Sequence, residues 1–346
     1  MMQAIDRRAL LKGGAASIGL ASLGAPRVAL AQAPRVLKLN TLASAAFVNV
    51  PVQAAFRSLL GQQAGFANAE VRPTAKIPQI IQEVIAGTAD LGDADIASTL
   101  AAAEAGADLK IIGLSYSNTS QVIVTNADKT KSLEALAAAG GTVAVNSVGD
   151  FMYVMLIGVL QKRGIDPKKI NFIEMGSSGD RARALLAGRV DAVPMHIEQA
   201  AQLRERGNFQ ILVRPWQEYD NWLSIVLATS GEWLRKDENK RAAVAIVKSV
   251  LTAFRKADDY DWFKTAVGEY ASTKELKTAG DDLVKPVWTT LRTEVKAFPK
   301  SMETLTPDAF AKLIPVYKAA GALRGTPNLD ALIDRTYLDI ALKELG

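Results

Sequence analysis

Four serines, Ser44, Ser98, Ser147 and Ser177, stand at points where the pattern of the chain starts a helix. A helix N-terminus carries unpaired backbone N–H groups and the positive end of the helix dipole, so such loops can cradle an oxyanion without a metal. Gly149 and Gly176 lie in two of these loops and allow close backbone approach. The same serines also suit plain helix capping, which uses the same geometry. Asp93, Asp95 and Asp150 stand nearby; such acids cap helices, brace loops, or accept from a hydroxyl or amino group while repelling an anion. His196 is the only histidine and directly follows a strand, which makes it a candidate contact where a lone histidine is more often structural. Phe47, Tyr116, Phe151 and Trp222 fall at strand or loop ends, where a ring can stack on an aromatic ligand or pack in the core. Arg181, in the first turn of a helix, can reach an anion, whereas Arg183 faces solvent.

The candidate ligand-binding set is therefore Ser44, Phe47, Asp95, Ser98, Tyr116, Ser147, Gly149, Phe151, Ser177 and His196. The chain has no cysteine. That excludes a thiolate nucleophile, a disulfide, a Cys-ligated metal and a lipid-anchored cysteine. No catalytic residue, metal site or cofactor is expected.

The elements that must position these residues are clearest between Gly141 and Glu198. A β-branched run, Thr142 to Val145, breaks at Asn146-Ser147 and enters an apolar helix, Phe151 to Arg163, stopped by Gly164. A strand from Ile170 to Met175, a Gly-Ser-Ser-Gly loop, a helix from Asp180 to Ala187 and a strand ending at Pro194 follow. This alternation predicts a parallel sheet with covered faces, whose loops at the carboxyl ends of the strands point at a ligand. An earlier stretch, Val84 to Gly92, repeats the pattern of Leu185 to Val193: helix end, Ala-Gly stop, Asp, then strand. Each Gly suits the left-handed position that ends a helix. Two lobes built alike, with loops aimed at each other, predict a clamshell that closes on a small molecule.

At 346 residues and 49% hydrophobic content, the chain can bury two sizeable cores. Asp6-Arg7-Arg8-Ala9-Leu10-Leu11-Lys12, a small apolar stretch and Ala29-Leu30-Ala31 read as a twin-arginine-type signal peptide over residues 1–31, with the mature chain starting at Gln32. Its removal takes four cations and one acid from the formal +5, leaving +2, which is no nucleic-acid signature. No later apolar run is long enough to span a membrane. The expected division is 32–125 for the first part of lobe 1, 126–221 for lobe 2, and 222–346 for the return to lobe 1 with C-terminal helices.

These residues carry a resemblance. The Ala-Gly-x-x-Asp entry to Gly92-Asp93-Ala94, Lys110-Ile111-Ile112-Gly113 after an Ala-rich helix, and Ser132-Leu133-Glu134-Ala135-Leu136 before Val143-Ala144-Val145 come in order. Gly164-Ile165-Asp166-Pro167 and Ala184-Leu185-Leu186-Ala187-Gly188-Arg189-Val190-Asp191-Ala192 complete the set. The mature chain resembles the solute-binding proteins of ABC importers in the nitrate, sulfonate and taurine group, related to thiamine-pyrimidine-synthase-like domains. It departs from the group at Thr41 to Phe47, where a Gly-Tyr-type opening would stand. The resemblance implies an α/β, two-lobed, type II periplasmic-binding-protein fold with parallel-type sheets flanked by helices. It implies a monomer in the periplasm that captures a small organic anion, a sulfonate or an aromatic or aliphatic carboxylate. Its partners would be an ABC permease and the permease's ATPase, with no nucleic acid and no membrane anchor. Nitrate or a thiamine-precursor pyrimidine are alternative ligands. An enzyme on the same fold needs a catalytic cysteine or a histidine-rich cluster, and a sensor would carry a helix-turn-helix or a membrane span.

Overall fold

The computed structural model describes residues 33–42, 46–74 and 76–346. The signal-peptide reading of residues 1–31 and the candidate Ser44 lie outside the described residues. Among the described residues, ten strands form two five-stranded sheets. The first contains β1 (Lys38–Leu42), β2 (Glu70–Thr74), β3 (Leu91–Asp95), β4 (Leu109–Tyr116) and β10 (Ile225–Ser230) in the order β2-β1-β3-β10-β4. The second contains β5 (Gln121–Asn126), β6 (Thr142–Val145), β7 (Asn171–Glu174), β8 (Ala192–His196) and β9 (Phe209–Val213) in the order β7-β6-β8-β5-β9.

The helices around the first sheet and the crossovers of both are α1 (a continuous helical rod, residues 47–62), α2 (Ile77–Ile85), α3 (Ile96–Glu104), α4 (Leu133–Ala138), α5 (Phe151–Lys162), α6 (Ser178–Leu186) and α7 (Ile197–Arg204). The last third of the chain supplies α8 (Gly231–Leu234), α9 (Asp237–Lys256), α10 (Tyr260–Tyr270), α11 (Lys274–Lys277) and α12 (Asp281–Thr293). It ends with α13 (Pro307–Ala311), α14 (Ile314–Ala319), α15 (Leu329–Leu332) and α16 (Thr336–Leu345). Among the described residues no helix is long and apolar enough to cross a membrane.

The repeat seen in the sequence has a physical basis in this topology. Gly87 and Gly188 take left-handed φ values of 69° and 66°, so each ends its helix, α2 or α6, at no side-chain cost. The Asp that follows ties two neighbouring strands together: Asp90 Oδ2 accepts from the N–H of Lys38 at 2.8 Å, and Asp191 Oδ2 accepts from the N–H of Thr142 at 2.8 Å. In both sheets this places the third strand, β3 or β8, beside the first, β1 or β6, in parallel register.

The sheets are mixed rather than purely parallel. In each, the fourth strand is the one that arrives from the other lobe, and it runs antiparallel to both neighbours: β10 against β3 and β4, β5 against β8 and β9. The strand β5, whose residues 121–125 the sequence pattern placed in the first lobe, thus pairs in the second sheet. The chain crosses at residues 117–120, earlier than its composition shows, because Ser117 to Gln121 are all buried and no solvated linker marks the step. The return crossing, residues 214–224, is anchored by Trp222, fully buried, whose Nε1 donates to the Pro215 carbonyl at 3.0 Å.

Of the C-terminal helices that the sequence pattern gives, those over 232–256, 307–320 and 329–345 are each broken in two, the one over 260–270 is found whole as α10, and the one expected over 286–298 starts earlier, as α12. Lys236 and Gly280 are extended and leave acidic first turns at Asp237-Glu238 and Asp281-Asp282, which favour fresh helix starts. Ile333 is extended and bridges Ile111 of β4, which pins the last helices to the first sheet.

Gly158 in α5 is a close-approach position. A Cβ there would lie 2.7 Å from Val316 Cγ1 of α14 and 3.1 Å from Trp222 Cη2. Gly158→Ala should therefore lower stability, because overpacking costs about 1–3 kcal/mol and the helix-propensity gain of about 1 kcal/mol returns only part of it. A urea melt should show a reduced midpoint with an unchanged slope; a raised midpoint would mean that α14 and Trp222 give way freely.

Candidate functional site

A cavity of about 60 Å³ lies between the carboxyl ends of strands from the two sheets. Leu42 at the end of β1, Thr74 at the end of β2 and Ile77 at the start of α2 line one side. Asn146 after β6, Met152 of α5, Gly176, Ser177 and Ser178 after β7, Arg181 of α6 and His196 at the end of β8 line the other. The volume corresponds to about two water-sized spaces, enough for one small polar head group.

Arg181 is the dominant charge. Its side chain is 1% exposed, and its guanidinium donates to the carbonyls of Gly176 and of Pro194, the latter at 3.3 Å. Burial draws its pKa down to about 10 while Asp150 and Asp180 hold it up, so it stays cationic at neutral pH. Beside it, α6 starts at Ser178, and Ser177 caps it: the Ser177 hydroxyl accepts from Asp180 N–H at 3.2 Å and donates to Asp180 Oδ2 at 2.6 Å. A fixed cation, a helix N-terminus and two serine hydroxyls thus face one small space.

His196 closes the opposite wall. The Gln121 amide nitrogen lies 2.9 Å from Nε2 and donates to it, which leaves the ring proton on Nδ1, donated to Ser120 Oγ at 2.7 Å. Burial, reinforced by the Arg181 charge, pulls the imidazole down to about 3, so the ring is neutral. Gln199 ties this wall to the serine loop, accepting from the His196 backbone N–H at 3.3 Å and donating to Ser178 Oγ at 3.1 Å.

Of the ten candidates, Ser177 and His196 line this cavity, and Ser44 lies outside the described residues. Phe47 is buried against Phe263, edge to face at 6.5 Å, and Phe151 against Trp222 at 5.9 Å; their rings fill the core. Tyr116 is buried in the same apolar cluster as Phe47. Asp95 caps α3, accepting from Ala97 N–H at 2.9 Å and Ser98 N–H at 3.2 Å. Ser147 lines a separate groove with Lys76, Gln79 and Glu83, and its backbone N–H donates to Asp150 Oδ2 at 3.1 Å. Gly149, at φ 89°, makes the left-handed turn that brings Asp150 back to cap α5. Asn146, Met152, Gly176, Ser178 and Arg181 also line the cavity although they stand outside the ten; Arg181 and the Gly-Ser-Ser-Gly loop that holds Gly176 and Ser178 were legible in the sequence, and Asn146 and Met152 lie within two residues of named loop positions. Leu42, Thr74 and Ile77 come from the other lobe and carry no sequence signal of their own.

Buried carboxylates crowd the same region. Burial pushes the Asp150 carboxyl up to about 7, with the Asp95 charge adding to the rise and Arg181 opposing it. Burial also raises Asp93, against hydrogen bonds from Ser115 and Thr41. Among the described residues no group of three or more His, Cys, Asp or Glu side chains is placed to hold a metal ion.

As the single histidine, His196 gives an uncluttered NMR probe. Its ring should stay neutral from about pH 8 to about pH 5. The unfolded imidazole titrates near 6.5, so acid favours the unfolded chain: this contribution to stability is present above 6.5 and fades as pH falls towards about 3. A titration midpoint near 6.5 in the folded protein would contradict the burial of the ring.

A model of the family described as NMT1/THI5 like matches residues 68–260, more than half of the chain. A search of curated protein sequences gives no significant match. Solved structures match over nearly the whole chain. The ligand-binding component of an ABC-type import system from Staphylococcus aureus, with zinc bound, aligns with a TM-score of 0.72 at 16% identity, covering 89% of this chain and 99% of that one. The periplasmic nitrate-binding protein NrtA from Synechocystis PCC 6803 aligns at 0.73 and 13% identity, covering 90% and 89%. The alkanesulfonate-binding protein SsuA from Xanthomonas axonopodis pv. citri, bound to MOPS, aligns at 0.66 and 18% identity, covering 87% and 99%. At these identities the likeness shows the fold: two mixed sheets flanked by helices in the two-lobed arrangement of periplasmic binding proteins. With its strand order, its helix stops and the match across residues 68–260 in agreement, the chain belongs to the NMT1/THI5-like family.

Proposed function

We propose that this protein is the periplasmic ligand-capturing component of an ABC importer, holding a small organic anion between its lobes and handing it to a permease driven by a separate ATPase. The observation that carries the reading is Arg181: a buried guanidinium, fixed by two carbonyls, lining an interlobe cavity beside the N-terminus of α6. A planar fork of donors with a helix dipole behind it recognises a carboxylate or sulfonate head group. Leu42, Ile77 and Met152 supply an apolar wall for the rest of the molecule, which favours an organic anion over nitrate. No Phe, Tyr or Trp ring lines the cavity among the described residues, and this favours an aliphatic over an aromatic chain.

Several features support binding without chemistry. The chain has no cysteine and one histidine, and both ring nitrogens of that histidine are engaged in holding its wall. The sulfonate- and nitrate-binding functions named for the structural neighbours point the same way. The twin-arginine motif at Arg7-Arg8 supports export to the periplasm.

Calorimetry and thermal-shift measurements on the chain from Gln32 onward, against alkanesulfonates, aliphatic and aromatic carboxylates, nitrate and pyrimidines, test the proposal. An aliphatic sulfonate or carboxylate should bind saturably, and at a hundredfold its Kd should stabilise the fold by about 2.7 kcal/mol. Arg181→Met should weaken that binding by about 10- to 100-fold, the worth of a charged hydrogen bond of about 1.5–3 kcal/mol. Arg181→Lys keeps the charge but loses the fork and should fall between. Binding of no anion, or full affinity in both variants, would sink the proposal.

A further inference from the structure

Two hydrogen bonds cross between the lobes in opposite directions. Asp95, at the end of β3 in the first lobe, accepts through Oδ1 from the backbone N–H of Phe151, the first residue of α5 in the second lobe, at 3.2 Å. Glu198, in the first turn of α7 in the second lobe, accepts through Oε1 from the backbone N–H of Phe47, the first residue of α1 in the first lobe, at 3.1 Å. Both acids are fully buried, and neither lines the interlobe cavity. Each lobe thus supplies a carboxyl that satisfies a helix-start N–H of the other, a group that has no partner within its own helix. The small residues of α3 let it pack on α5 close enough for the first of these bonds.

We propose that Asp95 and Glu198 are positioning residues of the closed state, a reciprocal latch between the lobes, and that closing the latch takes up protons. The proposal rests on the clamshell reading above. Glu198 shows why protons are involved. Oε1 is engaged, but Oε2 is buried with no partner, so a charged carboxylate there is poorly compensated. Burial pushes the group up from its ordinary 4.5 to about 7, opposed only by its own backbone N–H and that of Phe47. The titratable groups on the elements around it add no charge to this balance. His196 of β8 is neutral, Arg181 of α6 acts on Asp150 and His196, and Arg292 of α12 is bonded to Asp258.

At the other latch point, burial raises Asp95, against N–H donors from Ala97, Ser98 and Phe151 and the Ser98 side chain. Facing it are Asp150, itself raised, and Tyr116 and Tyr317, both pushed up by burial and so neutral.

In an open clamshell these carboxyls meet water and return towards ordinary values. A group raised in the closed state favours closure fully below its open value and loses that contribution as pH rises through the closed one. For Glu198 the window runs from 4.5 to about 7. Within it, each proton taken up changes the closed-to-open ratio by about tenfold per pH unit.

Small-angle scattering of the ligand-free mature chain decides the matter. The wild type should be more compact at about pH 5 than at about pH 8. Glu198→Gln mimics the protonated acid and should stay compact at both, with Asp95→Asn, which keeps both caps, flattening the response further. Glu198→Ala should remain expanded at both; if it fails to fold, the Gln variant still decides. An unchanged envelope in the wild type across this range, or a wild-type response in Glu198→Gln, would overturn the latch. Because no ligand enters the measurement, an empty ligand screen would count against the proposed function and leave this result standing.

Discussion

Bringing the carboxyl ends of two sheets together buries many of the polar groups at those ends, and each of these then needs a partner that water no longer supplies. Most of the architecture between the lobes can be understood as the answer to that constraint. Asp95 and Asp150 cap α3 and α5, Ser177 caps α6, and Thr41 and Ser115 both donate to the buried Asp93. Where one lobe cannot satisfy its own helix start, the other does, as at Phe47 and Phe151.

The charge balance of this region is lopsided. The described buried side chains include four carboxyls, Asp93, Asp95, Asp150 and Glu198, against one guanidinium, Arg181. Four negative charges could not be held there beside a single cation, so burial raises all four carboxyls, to about 7 for Asp150 and Glu198. Arg181 keeps its charge because a guanidinium is hard to deprotonate and because two carbonyls and the neighbouring acids compensate it. The result is a cavity whose fixed charge is positive although its surroundings are acidic in composition. A neutral His196 leaves that single positive charge undiluted by a second.

The two crossings between the lobes are built differently. The first crossing is tied to the loop after α12: the Ser117 hydroxyl donates to the Lys296 carbonyl at 2.7 Å and its N–H to the Ala297 carbonyl at 3.1 Å. The second carries Tyr219, whose hydroxyl donates to the Gly158 carbonyl of α5 at 3.1 Å, and the buried Trp222. Leu223, Lys296 and Met302 all hold left-handed backbone at this end, with φ between 48° and 52°. Such conformations cost a side-chain-bearing residue about 1–2 kcal/mol each and persist where packing over-determines them.

The sequence by itself determined the alternation of strands and helices, the two Ala-Gly-x-x-Asp units and the loops that end at the site. Those features are local: a left-handed glycine, a β-branched run or a helix-capping serine acts within a few residues of itself. The places of Ser177 and His196 at a helix start and a strand end were legible for the same reason. Tertiary structure alone decided which loops meet. It turned Phe47, Tyr116 and Phe151 into the core because apolar area is worth more buried against other rings than at a wet cleft, and it moved Gln121–Asn126 into the second sheet through pairing with distant strands. It also buried Arg181 against two carbonyls at the cavity wall and made Asp95 and Glu198 cross-lobe partners. Burial and the identity of a partner across the cleft are properties of two segments together, and no spacing along one chain encodes them.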